Sequence, residues 1–87
     1  MILTRQIDAD KLRGYLDHRI SLLDLANWAE SGMMGAEFDD TDFVAIRDAV
    51  ARLGVADVRA FGLTWEDCES VLNTLGYRAH VDIAAVK

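Results

Sequence analysis

One thiol and two imidazoles are the side chains in this 87-residue sequence with the widest chemical repertoire, and each is read first for what it could do. A thiol at a helix N-terminus loses its proton more readily and becomes nucleophilic. Cys68 lies near such a start, but Glu66, Asp67 and Glu69 flank it, and their charge opposes a thiolate. The helical phase it shares with Trp65, Leu72 and Leu75 assigns it to a buried face, where cysteine packs as a small hydrophobe. Metal-binding histidines recur at helical or loop spacing, as in His-Glu-x-x-His. Neither His18 nor His80 has such a neighbour. His18 falls in the last turn of a first helix, where a cation suits the dipole. His80 falls on the polar side of a strand-like stretch.

Glu37, Asp39, Asp40 and Asp42 form the densest acidic cluster. A calcium loop of the EF-hand type needs glycine at its sixth place and glutamate at its twelfth. Counted from Asp40 those places hold Ala45 and Ala51, and counted from Asp8 they hold Arg13 and Arg19. Capping and solvation account for the cluster instead. The segment Gly32-Met33-Met34-Gly35 lacks the lysine and hydroxyl residue of a phosphate-binding loop and reads as a helix stop and turn. No serine stands in a nucleophile-elbow context. Arg47, Arg52 and Arg59 are the only local basic grouping, with Asp48 among them. That is too little positive charge for a recognition helix.

The elements that position these groups announce themselves by a repeated helix-start pattern. An apolar residue, a Ser/Thr/Asp and a second apolar residue occur as Ile7-Asp8…Leu12, Ile20-Ser21…Leu25, Phe38-Asp39…Phe43 and Leu63-Thr64…Cys68. In each, a side-chain oxygen is placed to accept from an orphan N–H, and the apolar pair can close around it as a staple. The pattern predicts helix 2 over residues 22–31, stopped by Gly32, with Met33 against Trp28. It predicts helix 3 over residues 40–53, stopped by Gly54, and helix 4 over residues 65–75, stopped by Gly76. Helix 4 is two-faced, with Trp65, Cys68, Val71, Leu72 and Leu75 on one arc. Helix 3 turns Phe43, Ile46, Ala49, Val50 and Leu53 inward. Helix 2 is apolar around most of its circumference, which predicts that it is the most buried element.

The ends leave two readings of helix 1. From Tyr77 the chain alternates, with Tyr77, Ala79, Val81 and Ile83 on one side and Arg78, His80 and Asp82 on the other, the period of a half-buried strand. A strand needs a ladder partner. If helix 1 starts at Asp8, residues 2–7 are free to provide it. If helix 1 starts at Thr4, the C-terminal strand pairs across a two-fold axis or lies against the helices.

Composition bounds the rest. A chain of this size buries roughly 60–65% of its unfolded surface, enough for one domain, residues 1–87, without metals or disulfides. An apolar content of 52% and the absence of proline argue against disorder. No apolar run is long enough to span a membrane, and the first residues lack a signal-peptide pattern. The single cysteine fits a reducing compartment, so a cytoplasmic location is expected. The net charge of −6 argues against binding nucleic-acid phosphates. Asp8, Asp10, Asp24, Asp39, Asp40, Asp42, Glu66 and Asp67 fall at predicted helix starts, where they complement helix dipoles.

The segments Tyr15-Leu16, Ile20-Ser21-Leu22, Leu25-Ala26-Asn27-Trp28-Ala29-Glu30, Ala51-Arg52-Leu53-Gly54-Val55-Ala56-Asp57-Val58 and Phe61-Gly62-Leu63-Thr64-Trp65-Glu66-Asp67-Cys68 resemble a group of short, acidic, uncharacterised bacterial helical proteins. The resemblance implies a bacterial cytoplasmic origin and a compact helical domain, and it transfers no catalytic residue. In length and acidity the chain is also similar to the immunity proteins of nuclease colicins, whose tandem-tyrosine-proline segment has no counterpart here.

The sequence therefore predicts a mainly α domain, a bundle of about four helices with a short C-terminal β-strand. It predicts no catalytic, cofactor-binding or metal-binding residues, and no nucleic-acid or membrane partner. The expected function is a small non-catalytic protein-interaction or regulatory module, and the alternative is an immunity protein or antitoxin neutralising a basic toxin. Contact with a protein partner is expected at Trp28, Met33 and Met34, and at Tyr77, Val81 and Ile83, the last three through homodimerisation by the C-terminal strand.

Overall fold

Thr4 decides between the two readings of helix 1. In the computed structural model, which describes residues 2–59 and 62–85, its backbone is extended and its hydroxyl accepts from the Ile7 N–H at 3.2 Å. Helix α1 therefore runs Arg5–Leu16. Asp8 lies one turn inside it, on the face it shares with Leu12 four residues later.

The two residues before Thr4 suffice for a strand. β1 (Ile2–Leu3) pairs in parallel with β2 (Glu37–Phe38), in the register Ile2 to Glu37 and Leu3 to Phe38. The Asp39 N–H continues the ladder, donating to the Leu3 carbonyl at 2.9 Å. The strand expected at the C-terminus is a correction: residues 77–85 form no ladder. Alternation supplies a two-sided segment but not a backbone partner, and β1 is paired with β2.

Helix α2 (Leu22–Gly35) opens with the predicted Ser21 cap, built out into a capping box in which the Asp24 N–H donates to Ser21 Oγ at 3.0 Å and the Ser21 N–H to the Asp24 carboxylate at 3.5 Å. Its end differs from expectation. Gly32 is buried inside the helix, and the chain turns extended only at Ala36. A Cβ on Gly32 would stand 3.0 Å from Leu3 Cδ1 and 3.7 Å from Val50 Cγ1. The glycine is there for close approach: it admits the Leu3 side chain from β1 between α2 and its neighbour.

That neighbour, α3 (Phe43–Leu53), follows a 3-10 turn (Asp40–Asp42) in which the Asp39 carboxylate accepts from the Thr41 N–H at 3.0 Å. α3 touches α1, α2, α4 and β2, so it, rather than α2, is the hub. α2 presents the small residues Ala26, Ala29 and Gly32 inward and leaves Leu23, Met33 and Met34 exposed. An apolar circumference does not bury a helix when only one side has a partner. Leu3, Leu12, Leu25, Ile46, Leu53 and Leu75 are the largest wholly buried hydrophobes. Each contributes roughly 1.5–3 kcal/mol of apolar burial.

Helix α4 (Trp65–Thr74) starts at a second capping box, made by Thr64 and Asp67. It closes in a Schellman arrangement around Gly76 (φ +93°), with the Tyr77 N–H reaching the Leu72 carbonyl at 2.8 Å. Helix α1 closes the same way one residue beyond its cap, with the Arg19 N–H on the Gly14 carbonyl at 2.8 Å. There the left-handed position is held by His18 (φ +63°) instead of glycine.

Candidate functional site

Two surface grooves each hold part of the exposed apolar surface, Trp65 and Val81 in one and Ile2 and Phe43 in the other. The first, about 610 Å³, lies between α1, α4 and the C-terminal segment, lined by Ala9, Arg13, Leu16, Trp65, Leu72 and residues 77–82 among others. The segment is rooted at Tyr77, whose ring lies 5.7 Å from the Arg5 guanidinium carbon, and both Tyr77 and Ala79 pack against the core. Beyond that root the segment leaves the body: Val81 is 61% and Ile83 95% exposed.

The second groove, about 760 Å³, runs beside the strand pair and is lined by Ile2, Ala36, Glu37, Phe38, Asp39, Asp40, Thr41 and Phe43. Phe43 meets Phe38 edge-on, with ring centroids 5.6 Å apart. Because the Leu3 carbonyl bonds to Asp39, the intervening Phe38 turns its own N–H and C=O away from β1, toward the outer edge of β2. Phe43 and Trp65 were expected on buried arcs and are exposed. Each opens its helix, and a side chain at a helix's first residue overhangs the element packed beneath it.

Of the residues singled out from the sequence, Tyr77 and Val81 line the first groove together. Ile83 stands clear of it. Met33 and Met34 are exposed on the last turn of α2, Met34 by 90%, while Trp28 is half-buried in the core with Lys11 Nζ 5.7 Å from its ring centre. None of these three lines either groove.

The chemically versatile groups stay apart. Cys68 is 1% exposed, and burial together with the Asp67 charge pushes its thiol above the usual range. His18 and His80 are exposed on separate segments. Among the described residues, no three His, Cys, Asp or Glu side chains come together as a metal-ion cage. The arginines also separate: Arg47 pairs with Asp48 at 3.2 Å, and Arg52 bridges to α4 through Asp67 at 2.9 Å and the Gly62 carbonyl at 3.0 Å. The hydrogen bond from the Thr64 N–H, helped by Arg52, holds the Asp67 carboxyl below the usual carboxylate range.

Sequence reasoning missed Asp8. Read as a cap or first-turn acid, it is instead 0% exposed, neither carboxylate oxygen has a hydrogen-bond partner, and burial raises its pKa to about 7. The signal was its spacing from Leu12, which places both on one helix face once Thr4 is the cap. Ile2 and Phe38 were missed because their place beside the groove depends on a strand pair that links distant parts of the chain.

No protein-family model matches this chain, and no curated protein or solved structure is detectably similar to it. Among the described residues, no helix is long and apolar enough to cross a membrane.

Proposed function

We propose that this chain is a small non-catalytic protein-interaction module of the bacterial cytoplasm, with its C-terminal arm as a contact element. The observation that carries the reading is the pair Val81 and Ile83, alternating apolar residues exposed on a segment with no ladder. Leaving such side chains in water forgoes roughly 1.5–3 kcal/mol apiece, a loss that binding to a partner recovers. Met33 and Met34 add a second adaptable contact surface, since thioether chains fit irregular partners. The buried thiol and scattered histidines support a role without turnover.

The test is capture from source-cell lysate with tagged protein, compared with the double variant Val81→Asp, Ile83→Asp. The reading requires a specific partner, another protein or a further copy of this chain, that the double variant fails to hold. Equal recovery by both proteins overturns the arm's role.

A second reading rests on the acidic groove. Glu37, Asp39 and Asp40 line it and form no ion pair among the described residues. An antitoxin or immunity protein neutralising a basic toxin would use such a surface. A basic toxin encoded beside this chain and inhibited by it, with inhibition lost in Asp40→Lys, is the outcome that reading demands.

A further inference from the structure

We infer that the outer edge of β2, with the groove formed by Ile2, Phe38 and Phe43, receives the C-terminal arm of a second copy of this chain. The inference rests on the interaction role proposed for the arm and names its receptor.

Three observations converge on it. The groove offers what an added strand needs. The Phe38 N–H and C=O face its open side, and Ile2 and Phe43 expose apolar surface beside them. The arm offers what an edge recruits: a segment of alternating side chains without a ladder of its own, whose Val81 and Ile83 are 61% and 95% exposed. Charge matches the two. Residues 77–87 carry two bases and one acid, against seven bases and fourteen acids before them. Arg78 and His80 share the arm's polar side with the single acid Asp82, Lys87 follows in sequence, and Glu37, Asp39 and Asp40 rim the groove.

Geometry selects a second copy over the same chain. The arm leaves the body beside Arg5 and then shares its groove with Ala9, Arg13, Leu16 and Asp17, so it follows α1 toward that helix's C-terminus. The strand groove lies the other way, on the side where Arg5 pairs with Asp42 at 3.8 Å. Reciprocal exchange between two copies satisfies both grooves and closes with two-fold symmetry.

Sedimentation velocity on the full chain, over a dilution series, tests the inference. The expected result is a reversible dimer that Val81→Asp with Ile83→Asp converts to a monomer, with circular dichroism unchanged and a melting temperature that no longer rises with concentration. Ile2→Glu weakens the dimer about tenfold by burying a charge in the groove. Asp40→Arg and Arg78→Glu each weaken it, and combining them restores part of the loss. A monomer at every concentration overturns the exchange, and if that monomer binds a basic protein through the groove, the second reading above takes its place. A dimer sensitive to the arm variants but not to Ile2→Glu or Asp40→Arg overturns the receptor assignment and leaves the arm's contact role standing.

Discussion

Asp8 is a residue at which this molecule sacrifices stability. Its carboxyl ordinarily titrates near 3.8 and in the folded chain near 7, because burial without a hydrogen-bond partner penalises the charged form. Between those values the folded chain keeps a proton that the unfolded chain has released. Stability therefore falls as pH rises from about 4 to 7, and levels off above that. The fall is on the order of 4 kcal/mol, from roughly 1.4 kcal/mol per unit. Asp8→Asn removes the titration: its melting temperature, followed by circular dichroism, stays nearly flat across that window and exceeds the parent's at pH 8. His18 is a smaller sacrifice of the same kind, a side chain in the left-handed position that glycine fills at no steric cost. His18→Gly is expected to stabilise by about 0.5–1 kcal/mol in urea unfolding, after the extra freedom glycine gains in the unfolded chain is deducted. A destabilised variant would show that the imidazole makes an interaction outweighing the strain.

Among the elements, the contact between β1 and α2 turns on one missing side chain. Gly32 leaves room for Leu3 Cδ1, and a Cβ there would oblige that methyl to give by a few tenths of an ångström. Gly32→Val is expected to cost 1–3 kcal/mol by overpacking, measured by urea unfolding, although valine forms helix better than glycine. This same glycine shows where sequence reading stops. As a stop signal it was plausible, since glycine just beyond an apolar run usually ends a helix. Only the position of Leu3, from a distant part of the chain, makes it an interior residue. The capping boxes at Ser21 and Thr64 were legible because every atom involved lies within four residues. So was the Schellman close at Gly76. The apolar phases of α3 and α4 were legible too, apart from Phe43 and Trp65 at the helix starts. The strand pair was not, because its register joins residues separated by two helices. The candidate contact surface was half visible: periodicity exposes the alternation of the arm, whereas the groove exists only after β1 has found β2.

At the scale of the whole molecule, the long axis of 45 Å against 27 and 21 Å describes an elongated body. Acid is concentrated in that body, and its C-terminal stretch has a small excess of base. Three helices surround α3, and α3 also meets β2, so the strand pair is fastened to the hub only through the side that faces it. The parallel pair can close only once α1 and α2 have brought its halves together, which carries a late loop-closure cost. Leu3→Ala should therefore speed unfolding while leaving the refolding rate nearly unchanged, a φ-value near zero in stopped-flow measurements. A refolding rate that slows in step with the lost stability would place the pairing in the nucleus instead. For a chain made from its amino end, the order of manufacture and the order of assembly are then opposed. Leu3 leaves the ribosome ahead of the two helices that separate it from its partner strand and must wait, unmated, until Phe38 has emerged behind it. During that interval the nascent chain displays an unpaired apolar stretch that a chaperone, or a neighbouring nascent chain, can seize.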